Sequence, residues 1–168
     1  MDYEVYKALS VKLRIAASPF QAICDSLLNL AATVCESQFA ILSLKDTHSH
    51  LFVSTLGITG LEEVADVDSI CSYAAANSLI EVEDAMVDVR FCNNPYVTGE
   101  PHIRSYAGVP VCLPTGEKLG TICVFDQSPR VLQSHQAKAL MSISKVLFNT
   151  MVAQDIMFKQ ITQSESPL

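Results

Sequence analysis

The 168-residue sequence has no tryptophan, no Cys-x-x-Cys, no long apolar run, and no lysine or arginine between Asp46 and Val89. Each absence excludes something. Without roughly 18 consecutive apolar residues there is no candidate membrane span. The opening stretch MDYEVYKALSVKLR scatters charges where a secretory signal needs an apolar h-region, so no signal peptide is expected. The lack of any Lys/Arg cluster argues against a nucleic-acid-binding face. No Cys/His spacing resembles a zinc site, so no metal is expected. A Gly-rich phosphate loop is missing, and so is a Ser/His/Asp order that would mark a hydrolase. Together these absences lead to the expectation of a soluble cytoplasmic protein with reduced thiols.

Charged residues make up 17% of the chain and hydrophobic ones 49%, which suits one ordinary folded domain and argues against disorder. Net charge is −7, and nine acids lie in the lysine- and arginine-free middle. That middle reads first as a solvated face, and second as a lure for a cation or a basic partner. Cys35, Cys112 and Cys123 sit in apolar runs, where cysteine behaves as a small hydrophobe. His48 and His50, two apart in THSH, read as turn residues that would hold a metal only weakly without a third ligand.

Residues 1–17 place Tyr6, Leu9, Leu13 and Ala16 at helical spacing. Ser18 then caps a second helix, with Pro19 at its first position and Gln21 completing a capping box; Ile23, Leu27, Leu30, Ala31 and Val34 are its expected buried stripe. The segments 38–46 and 51–57 predict an antiparallel hairpin. Residues 68–77 predict a short helix capped by Asp68, and 78–84 a strand. The turn-rich stretch 85–101 carries one helical turn near its start. Residues 105–114 and 117–126 form the clearest hairpin, with Pro110 at an edge, at a bulge or with its nitrogen facing outward. Cys112 falls opposite about Leu119, so it cannot bridge to Cys123. A last helix over 134–162, capped by Ser134, carries two apolar stripes. Leu140, Ile143, Leu147, Met151 and Phe158 make one stripe, and Met141, Phe148, Val152 and Ile156 the other. The second needs a partner: the N-terminal helix or the same helix of a second chain. Residues 163–168 are expected to fray, and 18–133 form the core of a single domain.

The stretch 88–140 carries D-x-R-F, then N-P-x-V-x-G-x-P-x-I-R, Y-A-G-x-P, L-G-T-x-C-V-x-D and P-R. It resembles a GAF domain of the subgroup found in bacterial sensors beside diguanylate cyclase or histidine kinase modules; residues 69–85 resemble it more loosely. The resemblance implies an α+β fold: a central antiparallel sheet of five or six strands, terminal helices on one face, and a loop and short-helix cover over a pocket on the other. It also implies pairing through the terminal helices into a homodimer, with a small-molecule ligand or a signalling partner in trans. Met1 and the short tail QSESPL suggest a stand-alone regulator.

Within the loop, Gly99 and Gly108 are expected to supply unusual backbone angles, Pro95 and Pro101 stiffness, and Asn93 and Asn94 turn bonds. A ligand pocket would draw on Tyr73, Asp84, Arg90, Asn94, Arg104 and Tyr106. Two arginines suit a carboxylate or phosphate, and each can equally be pinned by Asp84, Asp88 or Glu100. GAF-like folds include a free methionine sulfoxide reductase; Cys71 and Cys92 are the thiols that such chemistry would use, and helix position favours a Cys71 thiolate while Asp68 opposes it. No Cys-His pair is present for covalent bilin attachment, and His102 is expected at the surface. The preferred expectation is a non-enzymatic sensory module; a dimerisation scaffold with an occluded pocket is the alternative.

Overall fold

The computed structural model describes residues 19–74 and 78–164. The expected helix over 1–17 and the cap Ser18 lie outside the described residues. One sheet holds β1 (Phe39–Lys45), β2 (Ser49–Leu56), β3 (Glu63–Ala65), β4 (Ile80–Val82), β5 (Ser105–Cys112) and β6 (Lys118–Asp126). The strand order is β3-β2-β1-β6-β5-β4, and every neighbouring pair is antiparallel. Helices α1 (Pro19–Cys35) and α3 (Ser134–Ser164) cover one face; α2 (Pro95–Thr98) belongs to the long connection over the other.

Strand alternation divides the core in two. Ala40, Leu42, Leu44, Ala107, Val109, Ile122 and Val124 face the helices. Ile41, Tyr106, Cys123 and Phe125 face the connection. Phe39 and Phe125 stack across β1 and β6 with centroids 5.1 Å apart.

The buried face of α1 differs from the expected stripe by about one residue. Phe20, Cys24, Leu28, Ala31 and Cys35 are buried, while Leu30 is 48% exposed. Small Ala and Cys side chains let α1 lie close against both the sheet and α3. Gln21 donates to Val53 O at 2.9 Å and to Asp25 at 3.0 Å, so its amide ties the helix to β2. At the far end Glu36 takes a φ of 53° and Ser37 N–H bonds Ala32 O at 2.9 Å, closing the helix. Arg130 donates to Cys35 O and Glu36 O and pairs with Asp126 at 3.2 Å. The P-R pair of the sequence is therefore a clamp on the α1 terminus.

Three further expectations are corrected. Gln133, not Ser134, caps α3: its carbonyl accepts from Gln136 and Ala137, and the Gln136 side chain bonds back to its N–H at 2.9 Å. Residues 66–73 form two 3-10 turns, Asp66–Asp68 and Ile70–Tyr73, and Asp68 lies inside the first instead of capping a helix. Gly99 has φ −113°, and Gly108 is not among the positive-φ glycines, which are Gly57, Gly60 and Gly116. Pro110 does sit where β5 is an edge, paired to Thr121 of β6 on one side. β4 reaches only Gly108, and β5 runs beyond it paired on one side alone, where α3 supplies Ser144 to the Pro110 carbonyl at 2.8 Å.

Candidate functional site: a cleft between sheet and cover

The second core is not filled completely. A cleft of about 50 Å³ opens between the sheet and the connection, lined by Ile41, Phe52, Ile58, Val64, Ile70, Ile103 and Phe125, among others. Its walls are almost wholly apolar. The lining residues that carry polar groups are Asp68, Ser69, Cys71, Tyr96, Tyr106 and Cys123.

Backbone bonds and amides hold the cover. Asn94 accepts from Tyr96 N–H at 2.9 Å, capping α2, and donates to Asp68 O at 2.7 Å, tying α2 to the first 3-10 turn. Arg104 donates to Val97 O at 2.9 Å, and Ala85 N–H to Arg104 O at 2.6 Å. Val97, Phe91 and Ala85 are the buried anchors of this layer.

Tyr106 points from β5 into the cleft. An added Cβ at Gly108 would fall 2.7 Å from the Tyr106 hydroxyl, so the ring lies flat over that glycine. In this way the phenol reaches Cys71 Sγ, 2.9 Å from its oxygen. Burial pushes the phenol well above its ordinary value, so it keeps its proton and donates to sulfur. The Cys71 thiol is pulled down, to about 6, first by its interaction with Cys123, then by Tyr106, against desolvation. The Lys118 charge lowers it further, while Ser69 Oγ, buried nearby, makes no well-formed hydrogen bond. Cys123 moves the opposite way, well up, for the same reason: one thiol keeps a proton so that its neighbour can lose one. Lys118 anchors the segment by donating to Cys71 O, and to Ala74 O at 3.2 Å. Cys24 and Cys35, buried without such partners, are pushed up to about 12 and about 11, chiefly by desolvation.

A second polar group lies at the end of β2. His50 belongs to the strand, not to a turn, and is wholly buried. Its Nε2 is 2.9 Å from Asp66 Oδ1 and 3.2 Å from Ser72 Oγ, while Nδ1 has no partner. The carboxylate fixes Nε2 as the protonated nitrogen. Both Ser72 and Asp66 address the same ring nitrogen, so this is not a relay for a nucleophilic serine. Among the described residues, no group of three His, Cys, Asp or Glu could hold a metal ion.

Of the six residues expected to line a pocket, Tyr106 lines the cleft and Asn94 ties its cover. Tyr73 is 53% exposed and stands edge-on to Phe91 at 4.9 Å. Arg90 pairs with Asp88 at 2.6 Å, on the surface above the Phe91 ring. Asp84 accepts Met86 N–H at 3.0 Å. Arg104 is turned to carbonyls of the cover. The two arginines are thus not brought together. Cys71 lies in the cleft; Cys92 is half-buried and does not line it. The sequence did not point to Lys118; it placed His50 in a turn and Cys123 among the core hydrophobes, and neither was assigned to the pocket. For Cys123, strand alternation with Phe125 is the only signal that could have placed it there.

A six-stranded antiparallel sheet with helices behind it and a covered cleft in front is an α+β architecture. Residues 19–148 match the GAF domain family, and the chain belongs to it. It is 37% identical over 109 residues to a cyclic di-GMP phosphodiesterase of Pseudomonas aeruginosa, a match covering 64% of this chain and 18% of that relative. The chain thus matches about a fifth of that relative's length. Solved structures share the fold at lower identity. The GAF domain of an Acinetobacter phosphoenolpyruvate-protein phosphotransferase has TM-score 0.68 and 16% identity, covering 89% of this chain and 92% of that one. A type II free methionine-R-sulfoxide reductase of Thermoplasma acidophilum has TM-score 0.66 and 15% identity, covering 79% and 92%.

Proposed function

We propose that this GAF domain is a sensory module whose cleft takes a small, mainly apolar molecule and whose α3 helix relays the event to a second copy. The observation that carries the reading is the cleft itself: an apolar cavity under a cover held by a few side-chain bonds. Its size and walls do not suit a cyclic nucleotide, which needs several hundred Å³ and charged contacts. Arg90 and Arg104, already paired or bonded elsewhere, supply none. The output is a signalling partner, cyclic di-GMP turnover being the kind that the Pseudomonas relative suggests.

Thermal unfolding against a metabolite panel tests this. A ligand at a hundred times its dissociation constant adds about 2.7 kcal/mol to stability. That raises the midpoint by several degrees in a domain of this size, or roughly 5–10 °C. Small apolar ligands are expected to produce the shift and cyclic nucleotides none. No shift across the panel would leave the fold a scaffold for pairing, a reading favoured on its own account by the exposure of Met141, Val146 and Ile156 on α3.

A further inference from the structure

Two cysteines from distant parts of the chain meet in the cleft, and a general sensor has no need of them there. Cys71 comes from the second 3-10 turn and Cys123 from the middle of β6, opposite Ile41 and Gly108. Both line the same cavity, and the Tyr106 hydroxyl that meets the Cys71 sulfur lies over Gly108, the cross-strand neighbour of Cys123. The Tyr106 hydroxyl is 2.9 Å from the Cys71 sulfur, and Gly108 leaves the room that this approach requires. Cys71 is 6% exposed and Cys123 1%, so bulky reagents are kept out. A cavity of about 50 Å³ nevertheless exceeds the roughly 10–15 Å³ that one water needs, and so admits a molecule of peroxide size.

We propose that Cys71 and Cys123 form a dithiol that a small hydroperoxide oxidises to a disulfide, locking the 66–74 segment to β6. The Cys71 thiolate attacks one oxygen of the peroxide and the O–O bond breaks. The departing oxygen takes a proton that Tyr106 is placed to deliver, and leaves as water or an alcohol. Sulfur has lost two electrons and is now a sulfenic acid. Cys123 then attacks that sulfur, the S–O bond breaks, and the hydroxyl leaves as water with the Cys123 proton. The proton lent by Tyr106 is restored from the original Cys71 thiol. Two thiols and one peroxide thus give one disulfide, one water and one further water or alcohol. A dithiol reductant reverses the reaction by two exchanges. The lowered Cys71 suits the attacking role, and the main cause that raises Cys123, the Cys71 thiolate beside it, is gone once that sulfur carries oxygen. This proposal does not depend on a ligand entering the cleft.

The sequence offers an unambiguous test. Trypsin cuts after Lys45, Arg90, Lys118 and Arg130, placing Cys71 alone in peptide 46–90 and Cys123 alone in peptide 119–130. The reduced chain is treated with hydrogen peroxide near stoichiometry, its free thiols are blocked, and the digest is mapped without reduction. The expected result is loss of blockable thiol from both peptides and appearance of the 46–90/119–130 pair, reversed by dithiothreitol. The Cys123→Ser variant should instead trap a sulfenic acid on Cys71. Oxidation confined to the half-buried Cys92 and Cys112, with both cleft peptides fully blocked, would overturn the proposal. A sulfenic acid that persists on Cys71 in the unsubstituted chain would do the same.

Discussion

The cleft illustrates how a single hydrogen atom in place of a methyl group can set chemistry. Gly108 was expected to matter for its backbone angle; it matters because the Tyr106 ring occupies the space of its missing side chain. Gly108→Ala should push the ring off Cys71 and strain the core by about 1–3 kcal/mol. Two readouts check this together: a lower denaturation midpoint, and slower reaction of Cys71 near neutral pH because its thiolate loses a donor. Tyr106→Phe should slow Cys71 similarly with less loss of stability. His50 gives a second residue-scale expectation. Desolvation and the nearby Lys118 ammonium hold it below its ordinary value of 6.5, despite the Asp66 carboxylate. Between 6.5 and that lowered folded value, the unfolded chain binds a proton that the folded chain refuses. Stability therefore falls as pH drops through this window, by at most about 1.4 kcal/mol per pH unit for one proton. The slope of urea midpoint against pH, compared between wild type and His50→Gln, checks it; an unchanged slope in the variant would assign the effect elsewhere.

At the scale of elements, most of the fold was legible. The two hairpins, the fourth strand and α3 came from alternation, turn residues and helical spacing, because a face buried against a sheet leaves a periodic record. What was lost has a common cause. The face of α1 is set by how close small residues let it pack, and hydrophobicity alone ranks Leu30 above Cys24. The 3-10 turns at 66–73 owe their shape to carbonyls taken by Asn94 and Lys118, residues about 25 and 45 positions away. The site was less legible than the fold, since Tyr106 and Cys71 were named as candidates while Cys123 was read only as a core hydrophobe. α3 makes the difference between its two stripes measurable. Leu147 is wholly buried, and Leu147→Ala should cost about 2–5 kcal/mol in chemical denaturation. Met141 and Val146 are 37% and 50% exposed, so Met141→Glu with Val146→Glu should leave the denaturation midpoint nearly unchanged at concentrations low enough for both proteins to be monomers.

For the whole molecule, one sheet separates two cores and also joins them. Ile41, Cys123 and Phe125 face the cleft, while Leu42, Ile122 and Val124, their immediate neighbours in the chain, face α1 and α3. Any event that shifts β1 or β6 from the cleft side is thereby felt on the helix side, because strands this well packed move as units. The 31 residues of α3 extend about 46 Å, and the last buried residue described along it is Met151. A second copy laid along the exposed apolar side chains of α3 would bury Met141, Val146 and Ile156, and would then respond to the position of the sheet. Reciprocity makes this testable in either direction: if cleft occupancy or the disulfide changes dimer affinity by some factor, dimerisation changes the cleft event by the same factor. Light scattering across a concentration series should show dimers at micromolar concentration for the wild type and monomers for the Met141→Glu, Val146→Glu variant. The same series repeated after peroxide treatment should move the midpoint of association. A wild-type monomer throughout would leave the cleft without this route to an output, and an unmoved midpoint would separate cleft oxidation from pairing.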